Sequence, residues 1–338
     1  MHIGKHVKNF VCSDLFIDGW KETNVLNVET GKLKLKDTFE GSELLESSIG
    51  EKYLGDIISQ DGKNDKNITS RRNKGIGLVN ELSALFVEMM PGNEHFEMAT
   101  LLRNACLVSS VIFNCETWYG LTLKQIKVLE KCDEILMSKV LGCPSKTPLH
   151  LMYLELGWLP LRFIIQSRRL NFLKYILDQD DTSLIKEVFN KQKENPVRTD
   201  WVKTIQSDMK KLKIDITFQQ IKKMSKMSFK HLVKKHIEET SLKYLKLHIK
   251  SKGKELQYTE MKMKNYLLAD SELTLQQKKE AFQIRTRMTE VKWNRKNKYT
   301  NLNCVPCEQI FKTNDETQEH VYKCTELCEN KSDFKEMF

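Results

Sequence analysis

The strongest chemical signal lies near the end of the 338-residue chain, at Cys304-Val-Pro-Cys307 and, after a 12-residue spacer, at His320 and Cys324. A Cys-x2-Cys pair suits a turn and a His-x3-Cys pair suits one helix face, which together is zinc-finger spacing. Thiolates and an imidazole at about 2.0–2.3 Å satisfy the tetrahedral preference of Zn, and binding would fold a segment too small to hold a core. A structural Zn is therefore the expected cofactor, with Cys304, Cys307, His320 and Cys324 as ligands and Cys328 as a substitute for Cys324. Four unrelated cysteines and histidines are the plainer alternative.

Basic side chains offer a second chemistry, contact with phosphate oxygens. They fall at Arg71, Arg72 and Lys74, at Arg168 and Arg169, and at Arg285, Arg287, Lys292 and Arg295 before the first cysteine pair. Arginine suits a phosphate because its planar fork donates in pairs. The same residues also serve as solvated faces or as stems lying over a helix bundle. The formal charge of +10 is concentrated, because residues 201–300 hold 25 Lys/Arg against 10 Asp/Glu. An excess confined to one segment points to a polyanion partner, RNA or DNA. Trp201, Phe229, Tyr244, Tyr258, Tyr266 and Trp293 are interleaved with these lysines. Such aromatics stack on unpaired bases or, at helical spacing, form core.

No catalytic residue is expected. Asp180-Asp181 is the one adjacent aspartate pair, and no apolar strand enters it; Thr182-Ser183 follow. A turn or helix cap explains it better than a site for two divalent ions. No phosphate-cradling glycine loop and no Ser/His/Asp or Cys/His nucleophile set is evident, so a small-molecule substrate is not expected. Nine cysteines, five of them scattered and four near the C-terminus, do not form a secreted disulfide framework. The residues from His2 to Lys8 are polar, and no apolar run reaches the ~18 residues of a membrane span. The expectation is an intracellular protein, in nucleus or cytoplasm, not secreted and with no membrane partner.

The elements that must hold these groups are mostly helical. Residues 1–50 read as short strands and turns, followed by an apolar strand from Tyr53 to Ile58 and a turn at Gln60-Asp61-Gly62. Asn67 reads as the cap of a helix with Ile76, Val79, Leu82 and Phe86 on one face, broken by Pro91-Gly92. Glu94 to Trp118 follows, with Met98, Leu101, Leu102, Ala105, Val108 and Ile112 on one side. Thr122 caps Leu123 to Leu141, closed by Gly142 and Pro144. Further helices are expected over Leu149–Leu156, Leu161–Leu177, Trp201–Leu212, Phe218–Met224, Ser228–Ile249 and Leu273–Met288, with a break at Asn195-Pro196. The fold class is mainly α with a small N-terminal β-layer.

Lys52-Tyr53-Leu54-Gly55, followed by an Asp-Gly turn and a helix with paired basic residues, resembles the primer-grip strand and first thumb helix of non-LTR (LINE-type) retrotransposon reverse transcriptases. Three later runs are similar to the thumb helices of that family, in the same order: NACLVSSVIFNCETWYGLT, LEKCDEILMSKVLGCPSKTP and YLELGWLPLRFIIQSRRLNFLKYIL. The Arg-rich stretch and the Cys304, Cys307, His320, Cys324 set resemble its C-terminal CCHC finger, and Met1-His-Ile-Gly-Lys resembles the strand that follows its catalytic turn.

The resemblance implies residual palm strands and a primer-grip-like hairpin over 1–62, with Tyr53, Leu54 and Gly55 in the grip. It implies a thumb-like helical bundle over 63–195, a basic helical domain over 196–300 and a CCHC zinc-finger-like tail over 301–338. The family is an RNA-directed DNA polymerase, but its metal-binding aspartates have no counterpart here. The resemblance thus implies a truncated remnant, a fragment that binds RNA and DNA and is inactive alone, with Mg entering only if a catalytic palm completes it. Two alternatives stand beside it: a polymerase subunit whose palm is on another chain, and a domesticated zinc-containing helical module that binds proteins.

Overall fold

Pro, Gly and hydroxyl or amide caps punctuate a run of helix-forming residues, and the chain folds accordingly into a mainly α protein. The computed structural model describes residues 32–34, 44–46, 50–53, 55–59, 63–88, 94–143, 147–196, 200–250, 267 and 274–286. Two antiparallel hairpins open it: β1 (Lys32–Lys34) pairs with β2 (Leu44–Glu46), and β3 (Gly50–Tyr53) with β4 (Asp56–Ser59). The expected single strand from Tyr53 to Ile58 is therefore divided. Tyr53 pairs with Asp56, which leaves a two-residue connection, and Gly55 takes the positive φ of 89° that this turn demands.

Helix α1 (Asp65–Glu88) begins two residues before Asn67, so Asn67 is not its cap. The amide of Ile68 donates to Asn64 O at 2.8 Å, and Asn67 is buried within the first turn. Next come α2 (His95–Leu102), a π-helical turn (Arg103–Val108) and the short α3 (Ser109–Val111). The buried stripe here runs through Phe96, Ala99, Arg103, Leu107 and Val111, whereas Leu101 is 60% exposed and Ala105 is exposed. The expected face is met in part: Val108 and Ile112 are buried, while Leu101 and Ala105 give way to a stripe that contains an arginine.

Helix α4 (Leu123–Leu141) starts as expected: Gln125 N donates to Thr122 Oγ1 at 3.2 Å, and Thr122 N donates to Gln125 Oε1 at 2.8 Å. The remaining helices are α5 (Leu149–Leu156), α6 (Leu161–Asp178), α7 (Leu184–Glu194), α8 (Trp201–Lys211), α9 (Phe218–Lys223), α10 (Lys226–Lys250) and α11 (Leu275–Arg285). Asp180 and Asp181 are exposed in the turn between α6 and α7. Among the described residues no helix is long and apolar enough to cross a membrane.

The chain divides into two compact units. The first comprises Met1–Glu81, Arg103–Asp133 and Pro160–Ser241. Its core includes Val79, Val111, Leu129, Leu170, Leu173, Ile205, Phe229 and Val233, all fully buried. The second comprises Leu82–Leu102, Glu134–Leu159 and Leu242–Phe338. There Trp158 Nε1 donates to Thr100 Oγ1 at 2.9 Å, and Gln283 Nε2 donates to Gly142 O at 3.0 Å.

Candidate functional site

In the first unit the chain leaves α3 and runs irregularly from Ile112 to Thr122. A helix end leaves carbonyl groups without intrahelical partners, and these must be served from elsewhere. Side chains from three directions serve them. From α1, Arg71 Nη1 donates to Ser110 O at 3.3 Å. From α6, Arg168 Nη1 donates to Ile112 O and Arg169 Nη1 to Trp118 O, both at 3.2 Å. From α8, Trp201 Nε1 donates to Glu116 O at 2.7 Å.

A carboxylate ties this stretch to the β3–β4 hairpin. Asp56 accepts from Arg71 Nη2 at 2.7 Å, from Asn67 Nδ2 at 3.0 Å and from Asn114 Nδ2 at 2.5 Å. Arg71 Nη2 also donates to Gly55 O at 2.7 Å. Asn114 takes a φ of 57°, which asparagine tolerates better than most residues, and its bond to Asp56 holds it there.

These contacts decide where the expected phosphate ligands sit. Arg71 and Arg169 are each 5% exposed, and Arg169 pairs with Asp208 at 2.6 Å. Both guanidinium groups are structural pieces of the first unit, so the role assigned to them on sequence grounds does not fit their burial. Arg168 is half-buried on a backbone carbonyl. Arg72 is half-buried with Nη1 3.3 Å from Asn73 Oδ1, and Lys74 is exposed. Tyr53 ends β3 and Arg285 ends α11. Leu54, Arg287, Lys292, Arg295, Cys304, Cys307, His320 and Cys324 lie outside the described residues, as do Tyr258, Tyr266 and Trp293. Among the described residues no group of three or more His, Cys, Asp or Glu is placed to hold a metal ion.

The charge that faces solvent is lysine. All ten lysines between Lys203 and Lys235 are exposed, and Asp215 is the one exposed carboxylate in that span. Apolar packing explains the arrangement: Trp201, Val202, Ile205, Met209, Ile221, Phe229 and Val233 bury one side of α8, α9 and α10, which turns the intervening lysines outward. An open cleft of about 440 Å³ lies along the end of α8, with Met209, Lys210, Lys213, Ile214 and Phe218 in its lining. Trp201 and Phe229 are core residues, so neither is available to stack on a base.

Among the described residues, three cysteines are held in the thiol form. Burial pushes the thiols of Cys115 and Cys132 up to about 12, against an ordinary 9.0, and raises that of Cys143. Such cysteines stay protonated and inert. Comparison with known proteins gives no match to a family model, a curated protein or a solved structure.

Proposed function

We propose that this chain holds RNA or DNA by the phosphate backbone and makes or breaks no bond by itself. One observation carries the proposal: ten exposed lysines against one exposed carboxylate between Lys203 and Lys235. Ammonium groups on flexible stems act as point charges toward phosphates, and the release of condensed counterions supplies affinity without reading sequence. The resemblance of the primer-grip-like and thumb-like segments to a LINE-type reverse transcriptase agrees with such a partner. It frames the chain as the back portion of a polymerase that would need Mg-binding aspartates from elsewhere.

The Cys304, Cys307, His320 and Cys324 set is proposed to hold a structural Zn on the strength of its spacing. A salt titration of RNA and DNA binding tests the main proposal: affinity must fall steeply and linearly on logarithmic axes as salt rises. Absence of binding at low salt defeats it. Primer extension with added Mg or Mn should yield nothing from this chain alone.

A further inference from the structure

The same unit presents two half-exposed aromatic rings to solvent: Tyr175, which stacks on Phe172 along α6, and Phe113, which stands at a rigid corner. Phe113 is 47% exposed, although phenylalanine is among the side chains most often buried. It sits in the irregular stretch whose carbonyls are served by Arg168, Arg169 and Trp201, just after the Ser110 carbonyl that Arg71 serves. The guanidinium carbon of Arg71 lies 5.0 Å from the ring centroid. That guanidinium is itself fixed by Gly55 O, Asp56 and Ser110 O. Beside the ring edge stands Gly55, exposed and without a side chain; a Cβ there would come 3.7 Å from Phe113 Cε1. The next residue, Asn114, is held at positive φ by Asp56.

We infer that Phe113 is a stacking platform for one unpaired base of a single-stranded nucleic acid; this rests on the polyanion-binding function proposed above. The ring is oriented before any ligand arrives, which lowers the ordering cost of binding. A cation lies against the ring, and 47% of the residue remains open to solvent. A single half-exposed ring offers too little apolar area for a stable protein interface, whereas one base covers it. Stacking accepts every base, because each has a π-face, so the site supplies affinity without sequence preference. The inference also distributes the work: lysines between 203 and 235 hold phosphates, and Phe113 distinguishes a strand with bases from a bare polyanion.

The test uses the full chain with two single-stranded DNA oligomers of equal length and phosphate number, one carrying a central 2-aminopurine and one fully abasic. The wild-type chain should quench 2-aminopurine on binding and prefer the base-bearing oligomer by about 5- to 150-fold, the range for stacking one base. Phe113→Ala should abolish the preference while leaving the abasic affinity and its salt dependence unchanged. Phe113→Leu, which keeps apolar bulk without a π-face, should behave as Phe113→Ala, and Phe113→Trp should retain the preference; unchanged thermal midpoints show that the variants fold. Equal wild-type affinities for the two oligomers, or a preference that survives in both Phe113→Ala and Phe113→Leu, would overturn the inference. If neither oligomer binds at low salt, the polyanion-binding function itself fails, a result distinct from loss of the preference alone.

Discussion

Arg169 and Asp208 close a 2.6 Å ion pair in which neither side chain is more than 6% exposed. Gln166 Nε2 donates to the second oxygen of Asp208 at 3.0 Å, and Arg169 reaches on to the carbonyl of Trp118. The pair links α6 to α8 and, through Trp118, to the stretch that presents Phe113. Removing one member of a buried pair strands the other charge, at about 3–5 kcal/mol. Asp208→Ala should therefore lower the unfolding free energy by about that amount in urea melts, while Asp215→Ala, an exposed change, should stay within about 0.5 kcal/mol.

Helix α1 contains two glycines with opposite surroundings. At Gly75 a Cβ would lie 2.6 Å from Val111 Cγ2 and 2.7 Å from Cys132 Sγ, too close for either to remain in place. At Gly77 nothing lies within 4 Å. Alanine gains up to about 1 kcal/mol over glycine in a helix interior, and overpacking costs about 1–3 kcal/mol. Gly75→Ala should destabilise the chain and Gly77→Ala should stabilise it, measured side by side by chemical denaturation.

The buried thiols give a pH signature. Below about pH 9 both folded and unfolded chains keep Cys115 and Cys132 protonated. Between 9.0 and about 12 the unfolded chain releases those protons while the folded chain holds them. Stability should thus fall as pH rises through that window, by up to about 1.4 kcal/mol per pH unit for each thiol. At pH 8 iodoacetamide should leave both residues unmodified until the protein is denatured, as peptide mapping would show.

The helices were legible in the sequence wherever their ends carry local signals: Thr122 with Gln125 opens α4, and Gly142 closes it at a φ of 60°. What sequence could not supply were partners far apart along the chain. Arg103 and Asp133 are 30 residues apart and both almost fully buried, and nothing near either one announces the other. That pair places an arginine inside an otherwise apolar stripe, so that Leu101 and Ala105 of the expected face are exposed while Val108 and Ile112 are buried as expected. Arg71 and Arg169 went astray for the same reason, since an arginine that serves buried carbonyls is the same letter as one that grips phosphate. The hairpin turn at Gly55 was missed because Asp61-Gly62 is the stronger local signal. The lysine surface was half legible. The charge excess of 201–300 is plain in composition, but its exposure follows only once Trp201, Ile205, Phe229 and Val233 are seen to pack.

Metal content tests the proposed zinc site. The full chain should carry about one Zn per molecule by mass spectrometry of the metal, released by chelators, as four Cys and His ligands at this spacing require. Replacing Cys304 and Cys307 together by Ser should abolish it. Retention of stoichiometric Zn in that variant would remove the proposed ligand set.

Five exposed residues, Lys210, Lys211, Lys213, Lys222 and Lys223, provide the most direct measurement. Binding of a fixed RNA or DNA is titrated against salt for the wild-type chain and for the variant with all five changed to Gln. The wild-type slope of log affinity against log salt should reflect several phosphate contacts, about −0.9 for each on duplex DNA. The variant should bind more weakly at low salt with a slope shallower by several contacts, its thermal midpoint unchanged. A variant that matches the wild-type chain in affinity and slope would contradict the account, because the exposed lysines would then not be what holds the polyanion.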